Sequence, residues 1–339
     1  MKITNNSNVP LALAVWAVHD EYDYINEPNY VSVTKLMKPI RHIVLPPRVP
    51  PEAREADITD YISRAMGHSL HDSIEKSWVK GYKINLKRLG FPESQIERVK
   101  VNPEPTELAP NDVPVYLEQR AFRKVTVNGN TYTIGGKFDM VAEGIVHDNK
   151  STTAYTWQFG GRDEDYKLQG SIYRWLNHNG YKDAACTEPI GVARITEDFI
   201  RICFIFTDWS KAMAKANPAY PQQRCMFKEI PLMSIEETEA WVVDKLTRFE
   251  HLKDVEEHKL PPCTQEELWM SDPTYKYYSD PAKTAGRSTK NFETAAEARA
   301  FMIEKGGKGI LKTIPGEAKR CAYCDAYSIC TQKEKPKYD

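Results

Sequence analysis

Two short stretches of this chain carry acids and a base at usable spacings: Gly135-Gly136-Lys137-Phe138-Asp139 and Ile145-Val146-His147-Asp148-Asn149-Lys150. Side chains alternate along a strand, so Asp148 and Lys150 point to one face. Asp139 ends the preceding strand of an expected hairpin and can approach Asp148. Two converging carboxylates repel unless a cation sits between them, and oxygen ligands of this kind select Mg2+ or Mn2+. Such an ion activates water and stabilises charge on a phosphate in flight. The adjacent lysine can orient that water or offset charge at phosphorus. Alone, an Asp-x-Lys pair reads more readily as a surface salt bridge at a strand end. Its company changes that reading. Glu118 lies mid-strand in Val115-Tyr-Leu-Glu-Gln-Arg120, where it could support the metal or its water. Gln169 and Tyr173 share a helix face through their spacing of four. So do Gly67, His71 and Glu75, with the glycine allowing close approach. Taken singly, His71 is more ordinary as a capping or core histidine, and Tyr173 as a packing residue.

A sheet and two helices must position these groups. Asp57 or Thr59 can cap a helix running to about Lys80. Val115 to Val127 carries alternating and β-branched residues, and Asn128-Gly129 is a hairpin turn signal. Thr131 to Ala142 reads as the return strand and Ile145 to Lys150 as a third. Asp163 to Asn177 reads as an amphipathic helix ended by His178-Asn179-Gly180. Strands are expected near Ile190–Ile195 and Ile200–Thr207, and a long helix at Ile235–His258. This order predicts a mixed α/β core. Residues 44 to 55 are proline-rich and read as a linker or extended arm.

With 339 residues, the chain is long enough for a large core with appended segments. The expected division is an N-terminal arm (1–56), a core (57–259) and a C-terminal segment (260–339). Lysine plus arginine total 46 against 47 acidic residues, so no global charge marks a nucleic-acid binder and any such surface must be a local groove. Lys76, Lys80, Lys83, Lys87 and Arg88, near Trp78 and Tyr82, form one candidate. Lys305, Lys308, Lys312, Lys319 and Arg320, near Tyr323 and Tyr327, form another. Either suits a single strand or frayed end, and either reads equally as a solvated face. Val9 to Val18 is too short to span a membrane and lacks a signal-peptide pattern, so it is expected to be a buried helix or strand in a cytoplasmic protein.

Of the seven cysteines, Cys321, Cys324 and Cys330 lie in C-x2-C-x5-C spacing. Three thiolates this close repel or oxidise without a metal. A fourth ligand would close a tetrahedral Zn2+ site or a [4Fe–4S] cluster, and Cys263, in a proline-shaped loop, is the candidate. Cys186, Cys203 and Cys225 read as ordinary core thiols.

Taken in order, the motifs G-x3-H-x3-E, E, G-x-x-D, D-x-K and Q-x3-Y resemble the RecB-like branch of the PD-(D/E)XK nucleases. That branch includes the nuclease domains of recombination helicase–nucleases, CRISPR-adaptation exonucleases and phage recombination exonucleases. The resemblance spans roughly residues 60 to 180, and the C-terminal cysteines extend it. It implies a restriction-endonuclease-like core with a mixed sheet flanked by helices, plus a cysteine-clamped C-terminal segment. His71, Asp139 and Asp148 would bind metal, with the carbonyl of Asn149 as a further ligand. Lys150 would be the catalytic lysine, Glu118 an auxiliary acid, and Gln169 and Tyr173 contacts to DNA or the active-site strand. The cysteines would hold [4Fe–4S], with Zn2+ as the alternative; the family's distant cysteine usually precedes the core, whereas this chain has none before Cys186. The expected activity is Mg2+- or Mn2+-dependent DNA hydrolysis, exonucleolytic, in recombination, repair or phage DNA processing. Single-stranded DNA or DNA with a free end would be the substrate, in the host cytoplasm if phage-encoded. A single-strand annealing or binding protein is a conceivable partner, and no membrane is involved. Rival readings are a structure-specific endonuclease on the same fold, a nucleic-acid-binding protein with a vestigial site, and a zinc-dependent RNA-binding module. The chain has no G-x4-G-K-[ST] motif, so no ATP-driven motor is expected.

Overall fold

The computed structural model describes residues 2–334 and is mixed α/β. Its contacts divide the chain into two units. One comprises the residues up to Lys38 with Glu55–Glu250, and the other Pro39–Arg54 with the residues from His251 onward. This division differs from the expected one. The N-terminal arm is shared out between the units, and residues 39–54 belong with the C-terminal segment.

A six-stranded mixed sheet organises the first unit. Its order is Cys225–Pro231, Phe199–Phe206, Ile145–Thr152, Met140–Ala142, Val113–Leu117, Val99–Val101. Phe199–Phe206 runs parallel to Ile145–Thr152, and its alternating burial leaves Ile200, Ile202, Phe204 and Phe206 inside. A second sheet holds Tyr30–Ser32, Asn130–Lys137 and Arg120–Val127. Its hairpin turns at Asn128-Gly129, both with positive φ (49° and 80°), as a two-residue primed turn requires. The core helix is Asp163–Asn177, with Ile172, Trp175 and Leu176 fully buried.

Where the sequence predicted long strands, the chain breaks them. Val113–Leu117 and Arg120–Val127 are separated at Glu118, whose φ is +50°. The return strand splits likewise at Phe138-Asp139, between Asn130–Lys137 and Met140–Ala142. The two breaks face each other: Glu118 N donates to Asp139 O (3.0 Å), and Phe138 N to Gln119 O (3.2 Å). The Asn102 side chain braces the junction by accepting from Leu117 N and Gln119 Nε2.

Other expectations are corrected. Ile190–Ile195 is a loop, because Pro189 and positive-φ Gly191 interrupt any ladder; Ile190 and Ile195 are buried as plugs. The late helix ends at Leu252. The helix near the N-terminus, Leu11–Val18, buries only Ala14 and Ala17, against Ile58, and leaves Leu11, Leu13 and Val15 exposed. Cys225 is exposed and Cys186 and Cys203 are half-buried, so none is a core thiol. The long helix runs Thr59–Arg88 and buries only Ala65. Asp57 precedes it and accepts from Thr59 N (3.1 Å) and Oγ1 (2.7 Å).

In the second unit, the proline-rich stretch folds into turns of 3-10 helix and buries Val44, Leu45 and Val49, so it is no extended arm. Arg48 ties it down by donating to Lys253 O and Val255 O, each at 2.7 Å. Between the distant cysteine and the cysteine cluster lies an unexpected three-stranded sheet, ordered Lys290–Phe292, Thr274–Tyr278, Ile310–Ile314. Helix Ala295–Glu304 packs on it through Phe301, which meets Tyr277 and Phe292. No helix among the described residues is long and apolar enough to cross a membrane.

Candidate active site and cysteine cavity

The two strand breaks aim Glu118 and Asp139 into one cleft of about 560 Å³ in the first unit, also lined by His71, Asp148, Lys150, Gln169 and Tyr173. His71 reaches it from the long helix, and its Nδ1 lies 3.3 Å from Asp139 Oδ2 and 4.0 Å from Glu118 Oε1. Among the described residues, His71, Glu118 and Asp139 are the group of metal-type side chains whose donor atoms all lie within 4.8 Å of one another. Asn149 N donates to Asp139 Oδ2 (2.9 Å), which fixes that carboxylate against the neighbouring strand.

Asp148 is 2% exposed. Lys150 Nζ lies 2.6 Å from its Oδ2, an ion pair that gives this buried oxygen its partner. A buried carboxylate needs a compensating charge; Lys150 supplies one, and a metal cation held with Asp139 would supply a second. Burial raises the Asp148 pKa, against the pull of Lys150. Burial also works against the charge on Lys150, but Asp148 and Asp139 outweigh it and hold its pKa above the ordinary lysine value. The His71 pKa is raised, chiefly by its hydrogen bond to Asp139. Burial raises Glu118 despite Lys137, 2.9 Å away.

Gln169 Nε2 donates to Tyr173 Oη (3.1 Å), so the pair acts as one polar arm on the cleft wall. Gly136 makes room for it: a Cβ there would lie 2.9 Å from the Tyr173 ring and 2.6 Å from Val33. Gly67 has no such role, since a Cβ there would meet open space.

Several cleft residues carried no signal in the sequence. Tyr22 and Asp23 come from the segment after the first helix. Asp23 Oδ1 lies 2.6 Å from Arg120, and the Tyr22 ring sits beneath both Arg120 and Lys137. Trp16 and His68 also line the cleft. Lys137 was legible in principle, because it flanks Asp139 by two positions.

In the second unit, Cys263, Cys321, Cys324 and Cys330 line one small cavity with Arg41, Leu45 and Leu268. Arg41 donates to Cys330 Sγ (3.3 Å) and pairs with Glu257. Gln332 clasps the backbone of Cys263 from both sides, accepting from its N (2.9 Å) and donating to its O (2.8 Å). Burial pushes the Cys263 thiol up to about 12 and raises Cys324 as well. None of the cysteines is disulfide-bonded. Around them, Tyr323 and Tyr327 are exposed, Lys305 pairs with Glu304, and Arg320 covers the Trp269 ring.

No family model and no curated protein matches this chain. Among solved structures, one described as "Crystal structure of SSO0001" is similar at 17% identity, with a TM-score of 0.39, over 69% of this chain and 80% of that one. A likeness of that degree carries no functional argument.

Proposed function

We propose that this chain is a divalent-metal-dependent deoxyribonuclease built on a PD-(D/E)XK core of the RecB-like type. The observation that carries this reading is the convergence of Glu118, Asp139, His71 and Asp148 on one cleft, with buried Asp148 paired to Lys150. Asp139, Asp148 and His71 would hold Mg2+ or Mn2+, with the Asn149 carbonyl as a further ligand. Bound there, the cation supplies water activation and charge neutralisation on the phosphate. Lys150, anchored by Asp148, presents a fixed positive charge to the phosphate oxygens. Glu118, kept beside Lys137, accepts a proton or steadies the attacking water. Gln169 and Tyr173 position the strand along the wall.

In the second unit, Cys263, Cys321, Cys324 and Cys330 would hold a [4Fe–4S] cluster as a structural clamp. Zn2+ is the alternative, and Arg41 would offset the thiolate charge around either.

A digestion series on end-labelled single-stranded, duplex and circular DNA, with Mg2+ and Mn2+, tests the activity. Cleavage of linear but not circular DNA supports an exonuclease, and cleavage of both supports the endonuclease alternative. No cleavage of any substrate by protein with full metal content would overturn the reading.

A further inference from the structure

On the long helix Thr59–Arg88, Ser69, Ser73, Lys76, Lys80, Lys83 and Lys87 recur at spacings of 4, 3, 4, 3 and 4. At about 100° per residue these positions stay within about 40° of one line along the helix. All six are exposed. The line starts at the cleft: Ser69 and Asp72 line both the cleft and a shallow groove that continues over Ser73, Lys76 and Ser77. From Ser69 to Lys87 it covers about 27 Å at ~1.5 Å rise per residue.

A merely solvated helix face usually alternates charge, with acids three or four residues from its lysines. Here only Lys76 has an acid at that spacing, Asp72, and Lys80, Lys83 and Lys87 neighbour lysines instead. Asp72 is the acid on that face and stands at the cleft end, while Asp60 and Glu75 point elsewhere around the helix. Lys76 and Lys80 have no acidic partner among the described residues; Lys83 leans on the Tyr82 ring, and Lys87 meets Glu93 only at 3.9 Å with both side chains mostly exposed. In a chain of net charge −1, this is a concentrated line of cation. Trp78 and Tyr82 do not belong to it. They stack on each other at 6.5 Å on the far side of the helix, where Tyr82 Oη donates to Val99 O. The stripe therefore has cations and small hydroxyls but no stacking platform, which suits a sugar-phosphate backbone and not bases.

We propose that this stripe is a track for the phosphate backbone of one DNA strand, guiding it to or from the metal cleft independently of sequence. That the polyanion is DNA rests on the nuclease reading; the track itself rests on the helix geometry. The test is binding of a fluorescein-labelled 30-nucleotide oligo-dT in EDTA, across a salt series. The wild type is compared with the fourfold variant Lys76→Gln, Lys80→Gln, Lys83→Gln, Lys87→Gln, and with a Lys211→Gln, Lys215→Gln control elsewhere on the first unit. Circular dichroism confirms that each variant is folded. Each phosphate contact on a single strand contributes about −0.7 to the slope of log K against log salt. The fourfold variant should have a slope shallower by about 3 and bind on the order of 10- to 100-fold more weakly at low salt. The control should lose little. An unchanged slope and affinity in the fourfold variant would overturn the track, and so would a wild type that does not bind oligo-dT. Because binding is read without divalent metal, a shallower variant slope beside a wild type that never cleaves would keep the track and discard the nuclease.

Discussion

The carboxylate cleft and the cysteine cavity gather metal-type ligands by opposite means. In the cleft, the ligands come from secondary structure. Alternation on Ile145–Thr152 aims Asp148 and Lys150 together, and paired strand breaks turn Glu118 and Asp139 toward them. In the cavity, the ligands come from loops and short turns, held by a clasp of Gln332 on Cys263 and by Arg41. The first arrangement has the sheet as its scaffold. The second has little scaffold of its own, so its ligand should be part of its fold.

The largest expected effect breaks the cleft alone. Asp139→Asn or Asp148→Asn should lower single-turnover DNA cleavage on the order of 10³-fold, and Lys150→Ala by roughly 10²- to 10³-fold. Iron content should stay at the wild-type level in all three. Asparagine is the substitution of choice at 148, because it removes the charge but keeps the side chain's shape and an oxygen beside Lys150, whereas alanine would also leave a void at this buried position. Cleavage at the wild-type rate by both asparagine variants would remove the comparison's first member.

Next in size is the reverse experiment. Cys321→Ser should lower iron content and melting temperature together, by on the order of 10 °C. Elemental analysis beside calorimetry checks this. Full stability with no iron or zinc in freshly prepared protein would mean that the cavity folds without a ligand.

A smaller effect belongs to the cleft wall. Tyr173→Phe removes the hydroxyl held by Gln169 and should slow turnover by about tenfold, equivalent to roughly one hydrogen bond. The melting temperature should barely move. A loss of stability larger than the loss of rate would reassign Tyr173 to packing.

Smallest is a contrast within the carboxylates. Asp57 is held by neutral donors where Asp148 is held by an ion pair: hydrogen bonds from Thr59, Asn6 and Thr4 hold its pKa at about 2. A depressed pKa contributes stability above the ordinary carboxylate range, and that stability is lost as pH falls toward 2. Asp57→Asn should flatten the acid limb of the stability profile between about pH 4 and pH 2. An acid limb of unchanged steepness would show that these bonds persist in the unfolded chain or contribute nothing.

Much of the cleft was legible because spacing along a regular element fixes direction. Asp148 with Lys150, and Gln169 with Tyr173, follow from periods of two and four. The Asn128-Gly129 turn set the hairpin register that opposes Glu118 to Asp139. What stayed illegible depends on tertiary placement. Nothing local marks Tyr22, Asp23 or Trp16 as cleft residues. The strand breaks hid because Val115 to Val127 has an unbroken β pattern, and no glycine announces the positive φ at Glu118. In the second unit, residues 274–314 alternate too weakly to declare a sheet, and prolines 46 to 51 suggested a linker where buried Leu45 and Val49 make a core.

The backbone at Glu118 has one more consequence. A left-handed conformation suits glycine or asparagine, and a glutamate there costs on the order of 1 kcal/mol. Position 118 is thus pulled toward two residue types at once, one by conformation and one by the cleft. Selection for thermal robustness alone would drift it to asparagine and relax the junction, at the expense of turnover. A library of this protein sorted only for heat resistance should therefore accumulate inactive chains with their change at this one junction, well before the carboxylates at 139 and 148 are lost.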